Sequence, residues 1–343
     1  MIPASGHEVY GLHLTGVTGA GLVPARFTVG PRVHVGYAQQ PPEPACVGTG
    51  RVVLDLPRGR QLLLDRGAGT ATFTGPPLDD DELVHPYLGA AASVFNRWAG
   101  REVYHAGAFV CGGLAWAVVG GRGAGKSSLL AALAARRFPV LADDLVVTDG
   151  HQVYSGPRTI DLRRPPSATE PVTRARAASR WRLPLPPLSG AAPLGGWIYL
   201  RWRTEMAMPA VPASVLLARL AARRAWPALP SDPETLLALA ARPGWDLGRP
   251  GDWARMDEAV DLMLGTLRAD SPCRGSATSS SPAPAHAAKT RTMSRAAAVR
   301  GEPVEADEHP GQLAGRGPVG QPLPRQGAPG VERVVAELQI TPA

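Results

Sequence analysis

The sequence predicts an α/β fold in three parts: a strand-rich N-terminal region ending in a helix over residues 1–100, an α/β domain over 101–268, and a mostly disordered tail over 269–343. Three observations predict it. Between Val9 and Gly75, short apolar runs are separated by Gly and Pro, the pattern of strands joined by tight turns. From Val118 to Val147, VVGGRGAGKSSLLAALAARRFPVLADDLVV reads as strand, glycine-rich loop, helix and strand with little slack. From Asp270 the composition shifts to Ser, Pro, Ala, Gly and Gln, with too few aliphatics to order a chain.

RVHVGYA from Arg32, RVVLDL from Arg51, QLLLD from Gln61 and TATFTG from Thr70 are the N-terminal strands, with Pro57 to Gly59 a hairpin turn. Asp79, Asp80, Asp81 and Glu82 suit a helix N-terminus, where acids complement the dipole, better than a metal site. Leu83, Tyr87, Leu88, Ala91, Val94, Phe95 and Trp98 then recur at helical spacing, and Gly100 suits the C-cap. EVYHAGAFV and LAWAVV read as two strands leading into the glycine loop. Ser127 to Arg136 is a helix, and FPVLA from Phe138 is a buried strand expected to return beside the loop's own strand. LVVTDGHQVYSG is a hairpin turning at Asp149 and Gly150. Arg163 to Pro193 is expected to loop out, GGWIYLRW is a strand, and Ala213–Arg224, Pro233–Ala241 and Trp253–Leu267 are helical. The closing VERVVAELQI is a short helix or strand.

Composition narrows the function classes. A chain of 343 residues with 44% hydrophobic and 19% charged residues can build a core. Its charge of +7 comes from scattered arginines, without a dense basic block or an RNA-binding aromatic motif, so no nucleic-acid partner is expected. Cys46, Cys111 and Cys273 share no zinc spacing and make no even disulfide set. The first residues lack a signal-peptide pattern and nowhere do eighteen apolar residues run together. A cytoplasmic protein without a membrane partner is the expectation.

Lys126 and Lys289 are the only lysines, against 34 arginines. A lysine kept in so arginine-rich a chain marks a site that wants a compact ammonium on a flexible stem. Lys126 sits inside such a site: Gly120, Gly125, Lys126 and Ser127 fit G-x-x-x-x-G-K-[ST], between an apolar strand and an amphipathic helix. Gly120, Gly121, Arg122, Gly123, Ala124 and Gly125 would curl backbone N–H groups around phosphates, with Ser128 at the helix start. Lys126 would reach the outer phosphates and the Ser127 hydroxyl would ligate magnesium, so ATP and Mg2+ are the expected cofactors. The Asn-Lys-x-Asp tetrad of guanine-specific GTPases is ruled out, since no other lysine precedes the tail, and the ABC transporter signature is missing.

Asp143 and Asp144 follow Lys126 by 17 and 18 residues, which is room for a helix and a returning strand. Adjacent side chains at a strand end diverge, so one carboxylate can face the metal while the other faces an incoming hydroxyl. Phosphoryl transfer uses such a pair.

LADD after this loop, with His105 in VYHAG 15 residues before Gly120, resembles the catalytic domain of the HPr kinase/phosphorylase family, serine kinases of the HPr kinase/PEP carboxykinase type of P-loop fold. The resemblance covers about Val103 to Arg163, and more faintly the region to Leu267. It implies that His105 is the active-site histidine, Lys126 the phosphate lysine, Ser127 the magnesium hydroxyl, and Asp144 the general base with Asp143 beside it. On the residues alone His105 reads as a strand-end histidine.

GPRTIDLR occupies the place of the family's motif carrying an Arg and a metal-binding Glu. The chain departs there, since no glutamate lies between Glu102 and Glu170. Arg158 clamps a phosphate and Asp161 substitutes at the metal on one reading; on the other they are a structural pair. The departure puts a reverse, phosphorylase-type reaction in doubt. The N-terminal part resembles that of small HPr-kinase-like proteins found with peptide natural-product genes, some of which phosphorylate a precursor peptide such as a lasso peptide. A protein or peptide with an acceptor serine is thus the expected partner, and oligomeric state is open. A nucleotide-dependent binding module, an ATPase and a small-molecule kinase stay open beside the serine kinase.

Overall fold

The computed structural model describes residues 6–19, 21–25, 30–40, 50–165, 172–175 and 179–270. Cys46, Cys273, Lys289, VERVVAELQI and the expected tail beyond Asp270 lie outside them. The chain divides into two units, and every described residue belongs to the one that takes in Met1–Ser271.

Seven strands form the N-terminal sheet: β1 (His7–Val9), β2 (Leu12–Thr15), β3 (Val23–Pro24), β4 (Arg32–Ala38), β5 (Arg51–Leu56), β6 (Arg60–Asp65) and β7 (Thr70–Thr74), in the order β3-β1-β2-β4-β7-β6-β5. Alternation places one face inward: in β6 every second residue is buried, Leu62 and Leu64 among them. The hairpin β5–β6 turns through Pro57–Gly59 as the sequence predicts.

The helix expected from Leu83 is interrupted. A first turn, α1 (Asp80–Glu82), is capped by the Asp79 side chain accepting from the Glu82 amide at 2.6 Å. Pro86 then cannot continue the ladder, and His85 takes an extended backbone of φ −150°, ψ 117° before α2 (Leu88–Trp98) resumes. Ala90 to Arg97 are all buried, because α2 packs against both the N-terminal sheet and the second sheet.

That second sheet contains β8 (Glu102–Tyr104), β9 (Ala106–Cys111), β10 (Leu114–Val119), β11 (Val140–Ala142), β12 (Val146–Thr148), β13 (Gln152–Tyr154), β17 (Ala191–Trp202) and β18 (Gly244–Arg249). Its order is β11-β9-β10-β17-β13-β12-β8, with β18 also on β17. EVYHAGAFV is therefore two strands, split at His105: β8 pairs with β12, and β9 with β10 and β11. The strand after the loop helix does not lie beside β10 as expected; β9 stands between them.

Helices α3 (Lys126–Ala135) and α6 (Met256–Asp270) cover one face of this sheet, α4 (Ala213–Ala222) and α5 (Pro233–Ala240) the other. Strand alternation sorts β10 between them: Trp116 and Val118 join the α3–α6 core, while Ala115, Ala117 and Val119 join the α4–α5 core. Arg163 to Pro193 is more ordered than predicted. Strands β14 (Thr159–Leu162), β15 (Thr173–Ala175) and β16 (Arg180–Pro184) make a three-stranded sheet, β14-β16-β15. The fold is mixed α/β, with mixed sheets. No helix among the described residues is long and apolar enough to cross a membrane.

Candidate active site

Strands β10, β17 and β18 run parallel, so their carboxyl ends open on one edge of the sheet, where open α/β sheets bind ligands. The loop Gly120 to Gly125 leaves β10 there and enters α3 directly. Gly125 is the turning point, with φ of +83°, and a Cβ on it would collide with Arg249 Nη2. Leu129 N donates to Gly125 O at 3.0 Å as the first rung of α3, leaving the amides of Lys126, Ser127 and Ser128 at the helix start. The Lys126 ammonium folds back over the loop, donating to Gly120 O at 3.0 Å and Gly121 O at 3.3 Å. Burial lowers its pKa against the pull of Asp144 and Asp143. Gly120 to Ser128 thus form one cradle, with Ala124 anchored by Arg249: its carbonyl accepts from Arg249 Nη2 at 3.1 Å.

The acid pair meets this cradle at the end of β11. Ser127 Oγ donates to Asp143 Oδ1 at 3.1 Å. Asp143 is 5% exposed, and desolvation together with the neighbouring Asp144 charge pushes its carboxyl up to about 8. Asp144 turns the other way because its backbone is left-handed, with φ of +67°, which swings its side chain into the open, 41% exposed. His105 Nδ1 lies 2.9 Å from the Asp144 carbonyl and 3.4 Å from its Oδ1. A carbonyl only accepts, so that contact fixes the Nδ1–H tautomer of His105. Burial depresses the His105 pKa more than Asp144 raises it. Tyr10 closes the floor, its hydroxyl donating to Asp143 O at 3.5 Å.

His85, which sequence reasoning passed over, supplies the opposite wall. Its Nε2 is 3.3 Å from Asp144 Oδ2 and 3.8 Å from Asp161 Oδ2. The extended backbone before Pro86 takes it out of the helix and to the cleft; a proline inside a helical apolar run was the signal available.

Arg158 and Asp161 do not pair with each other. The Arg158 guanidinium donates to Val140 O at 2.7 Å, Leu141 O at 3.2 Å and Pro186 O at 3.0 Å, so it buttresses β11 from behind. Burial lowers its pKa to about 10. Asp161 receives both Nε and Nη2 of Arg182, at 2.8 and 3.0 Å, and Arg182 also reaches Asp81 Oδ1 at 2.7 Å. Asp81 thus serves that arginine besides sitting in a helix turn.

Tyr10, His85, His105, the glycine loop with Lys126 and Ser127, and Asp143, Asp144 and Asp161 line a cleft of about 1380 Å3, whereas Arg158, expected at a phosphate, is not part of its lining. Its walls are rich in cations, Arg122, Lys126, Arg163, Arg164, Arg223 and Arg224 among them. Among the described residues no cluster of three or more His, Cys, Asp or Glu is arranged to hold a metal. Fold and site together define a class: an α/β protein in which a lysine-bearing glycine loop meets paired carboxylates at the carboxyl ends of parallel strands. No protein-family model matches the chain, and no curated protein does. Among solved structures, the Hpr(Ser) kinase/phosphatase from Coxiella burnetii is similar at a TM-score of 0.27 and 11% identity, over 49% of this chain and 99% of that one.

Proposed function

We propose that the protein is a kinase that moves the γ-phosphoryl group of ATP to a hydroxyl, with a serine of a protein or precursor peptide as the acceptor, in the cytoplasm. The observation that carries this reading is the divergence of two neighbouring carboxylates. Asp143 turns down onto Ser127, while Asp144 turns up between His105 and His85. One is placed for a metal and the other for a proton.

The residues fit both expected groups. The open space beside Gly121 and Gly123, the amides opening α3 and the Lys126 ammonium suit a chain of phosphates. Ser127 and Asp143 offer hard oxygens in contact with each other and would hold magnesium, which supplies positive charge against the phosphates. Asp161 has both its oxygens on Arg182, so a ligand role there competes with a bidentate ion pair. Asp144 takes the proton as the acceptor oxygen bonds to the γ-phosphorus and the bond to the β–γ bridging oxygen breaks, releasing ADP. His105 and His85 position Asp144 from its two sides. Lys126 offsets charge on the phosphate oxygens. The cleft exceeds the roughly 300–1000 Å3 of a single small-molecule site, which leaves room for an acceptor chain beside the nucleotide.

Asp144→Ala tests this directly. Transfer should fall by roughly 100- to 10,000-fold, the range of a lost general base, while ATP affinity changes little. Loss of ATP binding together with transfer would give Asp144 a structural role and end the reading.

A further inference from the structure

The chain has eight tryptophans, and two of them, Trp202 at 49% and Trp253 at 51%, are strongly exposed. A large apolar ring left in water is a cost unless something covers it. Both line the same cleft as the glycine loop. Their placement follows from the parallel strands: Trp202 ends β17, and Trp253 follows the end of β18 by four residues, just before α6. The loop after β10, the end of β17 and the turn after β18 therefore share one rim.

Trp202 is fixed against the phosphate cradle. Its Cη2 lies 3.6 Å from where a Gly125 Cβ would stand, and the Arg249 guanidinium covers its ring at 4.4 Å from the centroid. Arg249 in turn holds the Ala124 carbonyl at 3.1 Å, so one guanidinium links ring and loop. The acid pair, with His105 and His85 against it, arrives from β11, on the other side of β10 from β17 and β18. A triphosphate whose terminal group reaches Asp143 and Asp144 must send its nucleoside away from them.

We propose that Trp202, with Trp253 as a second wall, is a stacking platform for the purine base of the bound nucleotide. This rests on the reading of the loop as a triphosphate cradle. Stacking reads the π-face of a base and needs no matching edge.

Calorimetry of the full-length protein with magnesium, comparing ATP with inorganic tripolyphosphate, separates the platform from the cradle. Trp202→Ala should weaken ATP on the order of tenfold or more, the size of one base–aromatic stack, and leave tripolyphosphate unchanged. Trp202→Phe should recover most of the loss, and Trp253→Ala should weaken ATP alone to a lesser degree. ATP, and not tripolyphosphate, should also quench the tryptophan fluorescence of the parent. Unchanged ATP affinity in both alanine variants, or equal losses for the two ligands, overturns the platform while the cradle stands. A parent that binds neither ligand overturns the cradle and the platform with it.

Discussion

Asp143 carries an electrostatic cost whose sign can be checked. Its carboxyl is held up to about 8 from an ordinary 3.8 by burial and by the Asp144 charge. Between those values the folded chain keeps a proton that the unfolded chain has released, so stability falls as pH rises across the window. In a chelating buffer, Asp143→Asn should stabilise the protein at pH 9 by on the order of 2 kcal/mol, and the gain should vanish toward pH 4. Chemical denaturation at the two pH values measures it; a gain that is constant with pH would show that Asp143 is already ionised without cost. His105 should behave oppositely: its depressed pKa means that stability is lost as pH falls through the unfolded histidine value of 6.5. Lys126, Ser127, Asp143 and Asp144 were legible from sequence because a short spacing confines them to one loop, helix and strand. Their surroundings were not. His85 reaches Asp144 and Arg182 reaches Asp81 across intervals that no local pattern encodes.

Among the elements, α2 depends on one buried side chain. Arg97 and Glu102 form a fully buried ion pair at 2.6 Å, joining α2 to β8, and Arg97 Nη2 also donates to Leu229 O and Pro230 O at 2.9 and 2.8 Å. Arg97→Ala leaves a buried carboxylate unpaired and should cost about 3–5 kcal/mol in denaturant unfolding. A loss below about 1 kcal/mol would mean that the Glu102 carboxylate is solvated instead. Because β8 leads straight into His105, the same variant should also loosen the site. Hairpins and capped helices were readable, since their turn residues are local: β5–β6, β12–β13 and the Asp79 cap fall where expected. Three features were not. EVYHAGAFV looks continuous, yet His105 leaves one pairing and begins another. GWDLGR is a short strand whose only strong signal is its parallel partner, β17. Strands β15 and β16 sit in a Pro- and Arg-rich stretch and are held by cross-strand pairing with β14 and each other.

For the whole molecule, strand order is what turns a motif into a site. The loop, the two tryptophans and Arg249 share a rim because β10, β17 and β18 are parallel, and the acid pair arrives from β11 with β9 interposed. The α/β class could be read from the pattern of runs, whereas the order of strands depends on pairings between residues far apart in sequence. The N-terminal region completes the cleft through Tyr10, in the turn between β1 and β2, and His85, between α1 and α2, so it belongs to the site and is more than an appendage. The most direct measurement is the fate of the γ-phosphoryl group. Full-length protein is incubated with magnesium and γ-labelled ATP, with serine-bearing peptide and protein acceptors, and the products are separated and weighed. Label recovered on an acceptor hydroxyl, with a mass gain of one phosphoryl group that Asp144→Ala abolishes, is the predicted result. Label recovered only as inorganic phosphate, or left on ATP with every acceptor, would contradict it.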